Sequence, residues 1–287
     1  MYYFNYVKSL FYKRNISVLF YQILNLVLVF FGFYFFNFSW FNNRILSGVA
    51  GIGVYLIGQI IAFSFVGEWM MRVIYCCKSL DRLENGARMQ ELFDEVLSNA
   101  IEKGYKLPKD VKLYVKFDNV LNAFACGKKT VVMHNILAEC DEDVIKAVFA
   151  HELGHIINSD SFKLQSVKVG NIVVSLMFLI YRFVGSLVVK FFTIFGVTIS
   201  RGAYFVINVV ILGLIMYIWD LIGVLLVTFS MRKCEIIADN IAKDLGYQEG
   251  LERLLNWANE GEVKNMSLFE KMTSTHPVVQ KRLENLA

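Results

Sequence analysis

Ala147-Val148-Phe149-Ala150-His151-Glu152-Leu153-Gly154-His155-Ile156-Ile157 is the stretch of this chain with the most restrictive chemistry. Positions four apart on an α-helix stack on one face. His151 and His155 can therefore direct two imidazole nitrogens at one metal ion about 2 Å away. Glu152, beside the first histidine, can reach a water activated by that ion and act as general base in peptide hydrolysis. With only four His in the whole chain, HExxH is an improbable accident of composition. It also falls inside an apolar-periodic stretch, 141–158, that reads as a helix. Asp141, Glu142 and Asp143 crowd the positive N-terminal end of that helix.

A catalytic zinc needs a third protein ligand and one open position. No further His follows closely, which excludes HExxHxxGxxH. Glu235-Ile236-Ile237-Ala238-Asp239 places two acids four apart in a mostly apolar segment. Burying such a pair is costly unless a cation or hydrogen bonds compensate. Glu235 is the expected third ligand. Asp239 is expected to accept the free ring N–H of a ligating histidine and fix its tautomer. The competing view is a solvated helix face, paired ordinarily by Arg232, Lys233 and Lys243. The expected cofactor is one Zn2+ per chain.

Between the two motifs lies an apolar insertion with candidate spans at 170–190 and 203–229. If His155 and Glu235 share an ion, they share a side of the membrane. The insertion must then cross an even number of times, and its length suits two helices. Arg182 and Asp220 stand inside these spans, and the hypothesis is that they pair there, since intramembrane charges usually find a partner. Snorkelling of Arg182 is the simpler alternative.

Upstream, Ile16–Phe36 and 45–66 are uncharged stretches long enough to span. Trp40 and Phe41 lie in the short loop between them, at interfacial depth. No small-residue cleavage signal follows the first stretch, so it reads as an uncleaved anchor. Lys8, Lys13 and Arg14 precede the first span, Arg44 lies between, and Arg72, Lys78 and Arg82 follow the second. The positive-inside rule puts the N-terminus and the segment after Val66 in the cytoplasm. The expected organisation is a membrane hairpin (1–66), a first catalytic segment (67–166), a second hairpin (167–230) and a second catalytic segment (231–287).

The composition agrees. The 287 residues are 56% hydrophobic and 19% charged, whereas a soluble domain carries roughly 25% charged residues. A lipid bilayer is the expected surrounding of the excess apolar surface. The net charge of +4 comes without a long basic run, so no nucleic-acid partner is indicated. Five Cys with no CxxC pair suggest free thiols in a reducing compartment. Between the first hairpin and HExxH, 80–103 reads as an amphipathic helix. Short β-type runs follow at 111–117, 121–126 and 130–134, with a hairpin turn at Gly127-Lys128-Lys129. The expected fold is thus a four-span α-helical membrane protein carrying a mainly α, α+β zincin-type domain with a small sheet. His134, at a strand end, is expected to be structural.

Asn122-Ala123-Phe124-Ala125-Cys126-Gly127, His151-Glu152-Leu153-Gly154-His155, Glu235-Ile236-Ile237-Ala238-Asp239 and Thr275-His276-Pro277 together resemble the HtpX-like membrane metallopeptidases. That group is related to the CAAX prenyl endopeptidases and the Oma-type mitochondrial proteases. The resemblance covers nearly the whole chain. It implies a bacterial-type inner-membrane zinc endopeptidase that cleaves membrane or misfolded proteins at the cytoplasmic face. It also implies that Asn122, Ala123 and Phe124 belong to an edge strand receiving substrate backbone, against the alternative of an ordinary core strand. Cys126 departs from the small residue or Thr expected there; it either tunes the cleft or packs. His276 can donate to the tetrahedral oxyanion or be a surface residue, and Arg282 is a candidate anchor for its turn. The rival functions are a prenyl-protein endopeptidase and a catalytically silent membrane scaffold.

Overall fold

The computed structural model describes residues 7–36, 43–194, 210–262 and 279–286. Among them, four helices are long and apolar enough to cross a membrane. The first two are α1 (Ile16–Phe36) and α2 (Arg44–Ala62). Asn43 caps α2 by accepting from the Ile45 N–H at 2.8 Å. This helix stops at Ala62, short of the 66 expected from hydropathy. Ser64 breaks the run by capping a new helix, α3 (Phe65–Ile74), accepting from the Val66 N–H at 3.1 Å.

The helix expected at 80–103 is shorter than its apolar pattern, with a 3-10 turn at Leu80–Arg82 and then α4 (Gly86–Glu102). Three strands follow: β1 (Lys112–Lys116), β2 (Ala123–Cys126) and β3 (Thr130–His134). The sheet order is β1-β3-β2, with β3 parallel to β1 and antiparallel to β2. The turn at Gly127, whose φ of +62° favours glycine, closes the β2–β3 hairpin. Ala125 pairs with Val131 and Ala123 with Met133. The outer edge of β1 is partly covered by an antiparallel bridge from Lys78 to Val115, while β2 is the opposite edge.

Next come α5 (Glu142–Ile157), α6 (Ser161–Ile194), α7 (Leu212–Asp244), α8 (Gln248–Glu262) and α9 (Val279–Leu286). The core of the extramembrane part joins Leu92, Phe93 and Val96 of α4, Val131 and Met133 of β3, and Phe149 and Leu153 of α5. Phe93 meets Phe149 edge to face at 5.3 Å.

Helices α6 and α7 are both uninterrupted, and α7 runs from the apolar bundle into this core with Ile241 and Ala242. Hydropathy suggested a change near 230, but nothing from Phe229 to Asp239 breaks a helix, since polar residues there keep good helical propensity. Residues 203–209 of the expected last span lie outside the described residues. The four long helices are joined by a neutral network. Asn25 donates to the Tyr55 hydroxyl at 3.1 Å and to Asn171 Oδ1 at 3.3 Å. Trp219 Nε1 donates to Asn25 Oδ1 at 2.9 Å, and Asn171 to the Tyr21 hydroxyl at 2.7 Å. Every helix of the bundle supplies a member, as expected where helices associate without a hydrophobic drive.

The hypothesised Arg182–Asp220 pair is not among the ion pairs of the described residues, and the geometry explains why. Lys163 of α6 touches Cys234 of α7, which fixes the register of the two helices. At 1.5 Å per residue, Arg182 lies about 28 Å above that contact and Asp220 only about 21 Å. Asp220 instead borders a small cleft with Asn171 and Trp219.

Candidate metal centre

Helices α5 and α7 cross where Gly154 meets Ala238. A Cβ on Gly154 would stand 3.0 Å from the Ala238 Cα, so any larger residue there would push the two helices apart by a few tenths of an ångström. The crossing brings Glu235, one turn before Ala238, against the face of α5 that carries both histidines.

His151 Nε2 and His155 Nε2 are 3.2 Å apart, with their rings perpendicular. Glu235 Oε1 is 3.2 Å from His155 Nε2, and Oε2 is 3.4 Å from His151 Nε2. All three residues are buried, and their ligand atoms form a cluster able to hold a metal ion. The spacing is informative: bonds of 2.0–2.1 Å in tetrahedral geometry place ligand atoms about 3.3 Å apart. Two imidazoles and one carboxylate, leaving a fourth position open, are a donor set suited to zinc.

Behind this triangle, Asp239 Oδ1 lies 2.8 Å from His151 Nδ1. Asp239 is in turn gripped by both arms of Arg282, at 2.6 Å to Oδ1 and 2.8 Å to Oδ2. Arg282 Nη1 also stands 3.2 Å from Glu235 Oε2. Burial by itself drives the His151 imidazole towards neutrality, but Asp239 and Glu235 outweigh it and hold its pKa up at about 10. A metal bound to this ring would have to displace that proton.

Two buried atoms stand out for what they lack. Glu152 Oε2 and His155 Nδ1 have no hydrogen-bond partner among the described residues. An orphaned carboxylate oxygen is costly unless something polar is to meet it. His155 Nδ1 faces Asp160 Oδ2 at 4.0 Å, beyond direct bonding. Asp160 itself pairs with the fully buried Lys163 at 2.9 Å, and Lys163 donates to Cys234 Sγ at 2.7 Å. Each histidine therefore has a carboxylate on its far side, one in contact and one just short of it.

The strand residues expected near substrate lie beside this triangle. Asn122, Ala123 and Phe124 line a narrow cleft of about 90 Å³ together with Glu152, His155 and Glu235. Sharing Asn122, Ala123 and Glu152 with that cleft, a larger cavity of about 380 Å³ reaches His151 between Leu121, Val148, Leu254 and Trp257. Cys126 is buried against Ala62 and Met71 and packs outside both cavities. His134 is held by Asp118, Nδ1 to Oδ1 at 2.5 Å, away from the triangle. His276 and its Thr-His-Pro turn lie outside the described residues.

Sequence reasoning assigned Arg282 to that turn and gave Asp160 and Lys163 no part. One signal for Arg282 was available: Val279, Arg282 and Leu286 occupy one helical face, and all three are buried. A cation on an otherwise apolar stripe demands a buried acid. Asp160 and Lys163 are three apart at the start of an apolar helix, a placement equally typical of solvated surface, so local sequence carried no clear sign of them.

A model of Peptidase family M48 matches residues 86–287. The chain is 26% identical over 212 residues to a CAAX prenyl protease 1 homolog of Dictyostelium discoideum, covering 68% of this chain and 47% of that protein. It is 27% identical over 204 residues to protease HtpX of Cellvibrio japonicus, covering 69% of this chain and 66% of the relative. With protease HtpX of Shewanella pealeana it shares 24% over 276 residues, covering 84% and 92%. The chain thus spans about half the length of the first of these relatives and about two thirds of the second. The crystal structure of S. mikatae Ste24p is similar with a TM-score of 0.46 and 22% identity, over 83% of this chain and 58% of that one. With the family match extending over residues 86–287, and two apolar helices before it and two within it, the chain belongs to Peptidase family M48 as an integral membrane member.

Proposed function

We propose that the chain is a zinc-dependent endopeptidase that hydrolyses peptide bonds of membrane or misfolded proteins at the cytoplasmic face of a bacterial-type inner membrane, in membrane protein quality control. The observation that carries this reading is the triangle of His151, His155 and Glu235 at tetrahedral spacing, with the unpartnered Glu152 carboxylate oxygen beside it.

His151, His155 and Glu235 would hold the ion. When bound, zinc supplies Lewis-acid chemistry, polarising the scissile carbonyl and bringing water within reach of deprotonation near neutral pH. Glu152 takes the proton from the attacking water and passes it to the leaving amine, the work of a general base and acid. Asp239 fixes the His151 ring by accepting from Nδ1, and Arg282 keeps Asp239 in place. The open edge of β2 receives the substrate backbone as an added strand, with Asn122, Ala123 and Phe124 at the cleft. Main-chain pairing is indifferent to sequence, and the apolar cavity beyond Leu121 accepts large apolar side chains. Both features suit unfolded hydrophobic segments. His276 is the proposed donor to the oxyanion, and the basic residues flanking the first two spans support the cytoplasmic orientation.

The likeness to a CAAX prenyl protease 1 homolog favours a second reading, in which the substrate is a lipidated C-terminus. Detergent-purified protein should contain one zinc per chain and degrade an unfolded protein in a manner abolished by a chelator and restored by zinc. Glu152→Gln should keep the metal and lose cleavage by about 100-fold or more. Undiminished cleavage by that variant would overturn the chemistry. Faster cleavage of a prenylated peptide than of unfolded protein would replace the substrate class. No cleavage of either by zinc-loaded wild type would leave the scaffold.

A further inference from the structure

A cavity of about 560 Å³ lies on the far side of the sheet from the metal triangle, between α3 and the strands β1 and β3. Its size is that of a small-molecule site, and its walls combine two unlike features. One is a set of cations: Arg72 from α3, Lys112 from β1, and Lys128 and Lys129 from the β2–β3 turn. The other is aromatic, Phe65 and Trp69.

Helix α3 begins three residues beyond the end of α2, so it lies at the surface of whatever bilayer α2 crosses. Gly67 fits directly against the Ala62 carbonyl, which ties the start of α3 to the end of that span. Its inner face, with Gly67, Glu68 and Met71, is buried. Its outer face carries Phe65, Trp69 and Val73, spaced four apart, with exposures of 81%, 56% and 56%. A ridge of large apolar side chains on a short helix at this depth is the signature of an element lying in the headgroup–acyl boundary.

The acids in the cavity wall are already engaged. Glu68 accepts from the Lys128 N–H at 2.9 Å and from the Thr130 hydroxyl at 3.1 Å. Asp110 pairs with Lys129. Arg72 is fixed in place, donating to Thr130 Oγ1 at 3.1 Å with its guanidinium 4.9 Å from the Tyr114 ring. Four cations against two occupied carboxylates leave the cavity positive, and it opens beside a membrane-facing ridge.

We propose that this cavity binds the phosphate-bearing headgroup of an anionic phospholipid, with the acyl chains passing Phe65 and Trp69. The site is separate from the metal centre and would fasten the α3–hairpin corner to the leaflet on the catalytic side. Both its parts are needed: cations alone would take any phosphate, and the ridge alone any lipid.

The test places full-length protein in phosphatidylcholine vesicles containing equal mole fractions of either chain-brominated phosphatidylglycerol or chain-brominated phosphatidylcholine. Trp69 fluorescence is isolated by subtracting Trp69→Phe protein. The anionic quencher should be about fivefold more effective, the factor expected from one basic residue near a charged surface. Lys112→Glu and, separately, Lys128→Glu should remove that preference, with Lys112→Gln intermediate; unchanged thermal unfolding identifies which variants retain the fold. Equal quenching by the two lipids overturns the proposal, as does a preference that survives both charge reversals, or a Trp69 that neither lipid reaches. Inorganic phosphate supplies the other arm: if millimolar phosphate abolishes the preference, the site serves a soluble anion and the lipid assignment fails.

Discussion

Among the polar clusters buried in the described residues, two are built on opposite rules. The bundle cluster of Asn25, Tyr55, Asn171, Tyr21 and Trp219 is neutral, and its amide and indole donors find acceptors. The cluster around His151, His155, Glu235, Asp239 and Arg282 is charged, and beside it Glu152 Oε2 and His155 Nδ1 are left without partners. A saturated neutral network has nothing left to bind and serves to align helices. A charged cluster with an orphaned oxygen retains capacity for one more cation and one more polar molecule. Burial of polar groups therefore has two meanings here, separated by whether the hydrogen bonding is complete.

The sharpest way to break this contrast is to remove the carboxylate that faces both histidines. Glu235→Ala should reduce zinc affinity by more than the roughly 100-fold typical of losing an outer partner, with proteolysis falling in step; metal analysis after dialysis against a weak chelator reads it. Retained zinc would mean that Glu235 belongs to the structural kind of cluster. Next in size is Arg282→Met, which strands Asp239 and Glu235 without their cation. Breaking a buried pair by one partner costs about 3–5 kcal/mol, and detergent-phase thermal unfolding should show it. Arg282→Lys should recover only part, because an ammonium cannot grip both Asp239 oxygens at once.

Gly154→Ala probes the crossing that brings the cluster together. Its added carbon must displace Ala238, at a cost of about 1–3 kcal/mol, and zinc affinity should weaken alongside stability. A stable variant with unaltered metal content would show that the close approach of α5 and α7 is not what positions Glu235. The smallest effect belongs to the bundle. Asn25→Leu should cost about 1–3 kcal/mol from the partners it leaves unmet, with zinc content and kcat on an unfolded protein unchanged. A loss of zinc in that variant would erase the distinction between the two clusters.

The sequence determined a good deal alone, because its strongest signals are local and periodic. Hydropathy marked Ile16–Phe36 as a helix without reference to anything else, and turn chemistry at Gly127 marked the β2–β3 hairpin. The four-residue spacings of His151 with His155, and of Glu235 with Asp239, each put two groups on one helical face before any packing is known. A shared ion would require both pairs to lie on one side of a membrane, and the apolar insertion between them has the length for the two crossings this needs. Other features were invisible locally. That α2 ends at Ala62, that Arg282 reaches across to Asp239, that Asp160 and Lys163 stand behind His155, and that Arg182 misses Asp220 by about one helical turn or more all depend on how separate helices cross. A single helix specifies which residues share its face; the depth and register at which two helices meet is fixed by side chains from both, and only the folded molecule holds them together.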